Sequence, residues 1–164
     1  MKRRLKIGCG MVIAVFMIFT ASFVDAASFI SMHESYNNEQ NRYTYDGVVR
    51  VSIDDMSITC DKAVWSPSEK FLEANGNVDV RDGSITLRSV SLSMVEESGE
   101  IKLFGDTYFH VQGLTVTAGN IVYSKNDSTL TFSKGVLVST NGTKTLYHSA
   151  IYDLAGGTFR EYIK

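Results

Sequence analysis

The feature that most constrains this chain is a spacing. Gly47, Gly76, Gly105 and Gly135 stand 29, 29 and 30 residues apart, and Leu72, Ile101, Leu130 and Phe159 step by 29 each time. The glycines Gly83, Gly113 and Gly142 are 30 and 29 apart, and Tyr123 and Tyr152 are 29 apart. A period of this length marks a repeat architecture, in which one unit cannot bury its apolar face alone and its neighbours cover it. From Tyr43 onward a second period, of two, runs through segments such as VVRVSI, NVDV, SITL, EIKLF and GVLVS. Apolar and polar residues alternate there as in half-buried strands, and Gly, Asn, Asp or Ser separate most of them. No part of this region keeps a helical period over three turns. Pro67 is the only proline, so the ladders of such strands keep their N–H donors.

Four units stack, with first residues Asp46, Gly76, Asp106 and Val136. Each reads as short strands joined by turns, with Asn75-Gly76 and Asp82-Gly83 as two of those turns. A small or polar kink recurs inside the units, at Asp61-Lys62, Arg88-Ser89 and Ala118-Gly119. Polar loops recur at SPSEK, EESGE and KNDS. The expected fold is all-β, built from repeated antiparallel strand units. Two architectures satisfy the pattern: a jellyroll-like sandwich, whose kinks let the chain pass between facing walls, and an up-and-down barrel. The regular unit and the kinks favour the first.

Residues 1–26 stand apart. Lys2, Arg3, Arg4 and Lys6 precede an uncharged run, Ile7 to Val24, and Val24-Asp25-Ala26 offers small or medium residues at the −3 and −1 positions of a cleavage site. This is the layout of a signal peptide, a helix that directs export. The 18-residue run is also at the lower edge for a membrane span, so an uncleaved anchor stays open. Either way the basic start holds the N-terminus in the cytoplasm and the remainder is exported. Residues 27–42, with HESYNNEQN, show neither period and read as a flexible leader. Residues 43–164 form the β domain. Without residues 1–26 the charge is 12 basic minus 17 acidic residues, or −5 (16 less four, against 18 less Asp25). A mildly acidic exported domain shows no overall attraction to nucleic acid. Cys9 begins the hydrophobic run instead of following it, as a lipidated cysteine would. Cys60 is then alone, without an internal disulfide partner, at an apolar strand position.

The residues of catalysis are missing from the pattern. His33 lies in the polar leader, and His110 and His148 lie in strands without acidic or cysteine neighbours at ligand spacing, so no metal is expected. Asp54-Asp55 and Glu96 to Ser98 read as a turn and a solvated loop. No phosphate-binding glycine loop and no nucleophile elbow is present. Neither an enzymatic activity nor a cofactor is expected.

One segment carries a resemblance. In DGVVRVSIDDMSITCDKAVWSPSEKFLEANGNVDV, residues Gly47, Ile58, Cys60, Asp61, Ala63, Leu72, Ala74, Gly76 and Val78 are similar to the pattern of the OstA-like domain of the lipopolysaccharide transport periplasmic proteins, the LptA/LptC family. The later units match more loosely, and ITLRSVSL lacks the Asp. The resemblance runs from about Tyr43 to Tyr162. It implies a twisted β-jellyroll that joins other OstA-like domains end to end and carries lipopolysaccharide across the periplasm in an apolar groove. The cleavable-looking signal resembles the soluble bridge branch of the family. A retained span would resemble the anchored branch. The groove candidates are Val49, Val51, Ile58, Leu72, Val78, Val80, Ile85, Leu87, Leu92, Ile101, Leu103, Val111, Val116, Ile121, Leu130, Phe132, Val136 and Val138. The same residues would equally pack a closed core, as in a scaffolding repeat protein of the envelope that binds no lipid. Trp65, ahead of Ser66-Pro67, is expected to cap the interior. The strand around YTYDGVVRVSI and the final GGTFREYI are candidate edges for strand addition, by which a partner or a second copy would join.

Overall fold

The computed structural model describes residues 27–162; the expected signal segment, 1–26, and residues 163–164 lie outside it. Among the described residues there are eleven strands. They are β1 (Ala27–Ile30), β2 (His33–Asn37), β3 (Arg42–Ile53), β4 (Met56–Ser66), β5 (Phe71–Asp82), β6 (Ile85–Val95), β7 (Glu100–Val111), β8 (Leu114–Ser124), β9 (Thr129–Thr140), β10 (Thr143–Asp153) and β11 (Thr158–Glu161). A single turn of 3-10 helix spans Glu96–Ser98. From β3 to β11 the strands pair antiparallel in chain order, and β1 and β2 both pair with β3. The starts of β3, β5, β7, β9 and β11 step by 29 residues, as do those of β4, β6, β8 and β10. One unit is therefore a pair of long strands.

Every long pairing breaks register once, near its middle. Gly76 and Asn77 of β5 face only Val90 of β6, Gly105 and Asp106 of β7 face only Gly119 of β8, and Lys134 and Gly135 of β9 face only His148 of β10. Two residues against one is a β-bulge, which bends its strand. The bulged residues take left-handed backbone, with φ of 76° and 47° at Gly76 and Asn77 and 77° and 46° at Gly105 and Asp106. The sheet folds across this line. Phe109, past the bend of β7, packs on Phe132, before the bend of β9, with ring centroids 5.7 Å apart. It also packs on Tyr152 at 5.3 Å. At the other end Phe29, which pairs with Val51 past the bend, lies 5.8 Å from Trp65 before it. The fold is thus the all-β, repeat-built sandwich with kinked strands. Its two facing walls are halves of one continuous sheet.

Close approach at the fold line fixes where glycine must stand. A Cβ on Gly76 would run into the Asp61 carboxylate of the preceding strand, with Asp61 Cβ at 2.9 Å. Asp61 also accepts a 2.8 Å hydrogen bond from Asn77 Nδ2, which ties the bend. One unit later Val90 takes the place of Asp61 and sits 3.1 Å from the position a Gly105 Cβ would hold. In the next unit the roles exchange. Gly119 is the small residue, and its Cβ would meet Lys134 Cβ at 2.8 Å and Lys134 O at 3.0 Å. This exchange explains the single 30-residue step in the glycine series, since Gly135 is the neighbour of the contact residue.

Three expectations need correction. Asn75-Gly76 is not a turn; it lies inside β5. A tight hairpin turn and this bulge both demand consecutive left-handed residues, so they share a sequence signal. The true two-residue turns are at 54–55, 83–84, 112–113 and 141–142. Residues 27–42 are not a flexible leader, because β1 and β2 occupy 27–37. Adding 29 to those bounds gives 56–66, the bounds of β4. They are the second strand of one more unit, and β2 hides its alternation because it ends the sheet and all five of its residues are exposed. For the same reason β3 is not an edge.

A turn glycine and a bulge glycine should respond differently to alanine. Gly83 has φ of 56° and open space around its Cβ position. Gly83→Ala therefore costs only the backbone strain, about 1 kcal/mol. Gly76→Ala adds the clash with Asp61 and should cost roughly twice that or more, read as the shift in urea denaturation midpoint at constant slope.

Candidate functional site

The interior between the half-sheets is the candidate site. All eighteen groove candidates point into it and are buried. Around them stand buried residues outside that set of eighteen: Ile53, Met56, Ala63, Ala74, Met94, Phe109, Tyr123, Ala150 and Tyr152. The signal for several was a column in the repeat. Trp65, Met94, Tyr123 and Tyr152 are 29 apart and occupy the next-to-last position of β4, β6, β8 and β10. Trp65 is buried beside Phe29, at one end of the interior. The buried polar residues of the bends are satisfied locally: Thr107 Oγ1 donates to Ala118 O at 2.7 Å and Ser89 Oγ to Ser91 O at 2.9 Å. Among the described residues no buried side-chain nitrogen or oxygen lacks a partner.

Composition varies along the interior. At the β1–β3 end rings form a chain, Phe29 on Tyr45 at 4.6 Å, Tyr45 near Tyr43 at 6.4 Å, and Tyr43 on Tyr36 at 4.6 Å. At the β9–β11 end Phe132 and Tyr147 pack on Phe159 at 6.3 and 5.4 Å. Between these ends the lining is mostly aliphatic, from Leu72 and Val80 through Leu87, Leu92, Ile101 and Val116, with Phe109 and Tyr123 among them.

The free ends of the strands meet along one side, the mouth of the folded sheet. One lip is the row of two-residue turns. The other is the row of four-residue loops after β4, β6, β8 and β10. Each loop is tied to the next by one backbone hydrogen bond: Glu96 N to Lys70 O at 2.9 Å, Lys125 N to Gly99 O at 3.0 Å, and Leu154 N to Ser128 O at 2.9 Å. Among the described residues two polar contacts cross from lip to lip. Tyr123 Oη donates to Asp82 Oδ2 at 2.8 Å, and Lys125 Nζ lies 3.9 Å from Asp54 Oδ2. Burial holds the Tyr123 hydroxyl well above the usual tyrosine range, and Asp82 adds to the shift, so this group stays a donor. The other ion pairs, such as Arg81–Asp79 and Lys102–Glu100, lie within the outer surface and contribute little.

The sheet has two ends as well as a mouth. At the C-terminal end β11 covers only Ala150–Asp153 of β10. The stretch Thr143–Tyr147 pairs with β9 alone, and Leu146 there is 73% exposed. Of the two expected edges, the final strand is therefore joined by half of β10, and the other edge is β1 with β2. The three histidines come to no common site, and among the described residues no cluster of His, Cys, Asp and Glu could hold a metal.

No protein-family model matches the chain, and no curated protein matches it. Among solved structures it is similar to the crystal structure of LptH, the LptA homologous periplasmic component of the conserved lipopolysaccharide transport device from Pseudomonas aeruginosa. Identity is 9% and the TM-score 0.34, over 84% of this chain and 82% of that one.

Cys60 reports on how closed the interior is. Its thiol is buried, and burial pushes its pKa up to about 11 against the help of two backbone hydrogen bonds. The neutral thiol is the favoured folded form, so its contribution is present below pH about 9 and is lost as pH rises through 9 to 11. Native protein at pH 8 should react with iodoacetamide on the order of a hundredfold more slowly than protein in urea, followed by mass spectrometry.

Proposed function

We propose that the chain is an exported, periplasmic carrier of acyl-chain lipid, with lipopolysaccharide as the cargo that the OstA-like pattern implies. It works by binding and not by catalysis, and hands its cargo along a row of similar domains. The observation that carries this reading is the enclosure of the interior. A continuous apolar lining runs from β1 to β11, and among the described residues the only cover over it is the other half of the same sheet. No separate layer has to be removed for the walls to part. The bends are hinges of left-handed backbone, and the lips are held by few polar contacts. An acyl chain placed between the walls would exchange apolar contact for apolar contact, at about 0.8 kcal/mol gained per methylene taken from water.

A second reading has its own observation. Val49, Leu72, Ile101, Leu130 and Phe132 have no solvent exposure at all. A scaffolding repeat protein with a permanent core would look the same. A benzophenone amino acid at Phe132, irradiated in cells, separates the two: the carrier forms an adduct that migrates with lipopolysaccharide or phospholipid. Adducts to this chain alone would sink the carrier reading. An uncleaved N-terminus, found by sequencing the exported protein, would make the chain the anchored kind of subunit.

End-to-end joining is the second half of the proposal, and the unpaired half of β10 supports it. Light scattering should show mass rising with concentration. Leu146→Lys, at an exposed position, should lower that association several-fold while changing stability by less than about 0.5 kcal/mol.

A further inference from the structure

A cleft of about 170 Å³ opens in the mouth, between the turn after β3 and the loops after β6 and β8. Its apolar lining is Ile53, Met56, Met94 and Ile101, all of which belong to the buried interior. Its rim carries the charges of Asp54, Glu96, Glu97 and Lys125. The two contacts that cross the mouth flank it. Met56 pairs across the strands with Asp82, and Ile101 pairs with Tyr123. The Tyr123–Asp82 hydrogen bond is therefore one strand removed from the cleft on each wall. Lys125 and Asp54 bridge its rim directly.

We infer that this cleft is a lateral portal through which one acyl chain of a lipid slides between the half-sheets, and that Tyr123–Asp82 and Lys125–Asp54 form the clasp that must part to admit it. This rests on the carrier reading above. The occupant follows from the lining: four unbranched or branched aliphatic side chains lead without a polar step into a mostly aliphatic interior. Met56 and Met94 are the residues best able to move aside, because an unbranched thioether side chain has several rotatable bonds. The two ends of the interior are less yielding. Each is packed with rings, Phe29, Tyr43 and Tyr45 at one and Phe132, Tyr147 and Phe159 at the other. The head group stays outside, beside the three carboxylates and one ammonium of the rim.

The test uses phosphatidylcholine vesicles containing a phosphatidylethanolamine with a fluorophore at the end of one acyl chain. Capture is followed by stopped-flow fluorescence. In a Cys9→Ala, Cys60→Ala background, Asp54→Cys with Lys125→Cys is closed by a reducible bismaleimide. The closed protein should capture the probe at least tenfold more slowly than the same protein after reduction. Lys125→Ala and Tyr123→Phe should each speed capture two- to fivefold, and Lys125→Ala should do so at an unchanged melting temperature. If closed and reduced protein capture the probe equally fast, the portal is wrong and the carrier reading stands. If no form captures it, wild type included, the carrier reading fails and the portal with it.

Discussion

Each odd strand from β3 to β9 sets two residues against one on the even strand that follows, and the ladder can absorb that surplus only by bending. Everything else depends on this mismatch. A flat antiparallel meander would leave its apolar face in water, because nothing else in the described chain could cover it. Bent at the same level in every strand, the sheet covers itself. The cost is local: Asn77, Asp106 and Lys134 accept left-handed backbone at about 1 kcal/mol each. The return is far larger, since each Val, Leu or Ile taken fully out of water contributes roughly 1.5–3 kcal/mol. Burial wins at every bend, and glycine on one side of each crossing lets the backbones approach closely enough for it to do so.

Repetition then spreads the load. Left-handed residues recur at Asn41, Lys70, Gly99, Ser128 and Gly157, each 29 after the last, and close every four-residue loop the same way. Loop is tied to loop and strand to strand, so each unit rests mainly on its two neighbours. The terminal units lack one neighbour, and their state shows it. Glu34 and Tyr36 stand where Ala63 and Trp65 stand one unit later, yet they are exposed while the later pair is buried. Position in the repeat sets which way a side chain faces; only a neighbour on both sides makes it core.

These dependences explain what the amino-acid order disclosed. The period of two and the step of 29 are imposed by burial on one face, so the strand-rich fold, the repeat and all eighteen inward residues were legible. The bend was legible as an event but not as a shape. Asn75-Gly76 carries the composition of a hairpin turn, and only pairing partners distinguish a turn from a bulge inside a twelve-residue strand. The strands at 27–37 were hidden because alternation is a record of burial, and β2 has none. The Tyr123–Asp82 contact was out of reach for another reason. It joins residues 41 apart, more than one unit, and depends on how far the two walls are offset when they close.

Whether the walls can part under a lipid is a question of magnitudes. A hydrogen bond to a carboxylate contributes on the order of 1.5–3 kcal/mol, and a solvent-accessible, 3.9 Å ion pair such as Lys125–Asp54 no more than about 1. The clasp is therefore worth about 2–4 kcal/mol. At roughly 0.8 kcal/mol per methylene buried, five methylenes inside the walls offset it. Separation of the walls also loosens the packing of Met56, Met94 and Ile101, but the entering chain replaces those contacts with others of the same kind. A short apolar group gains too little to open the mouth, and a chain of a dozen carbons gains more than enough. A clasp of this strength would leave the empty protein shut and still let a full acyl chain in.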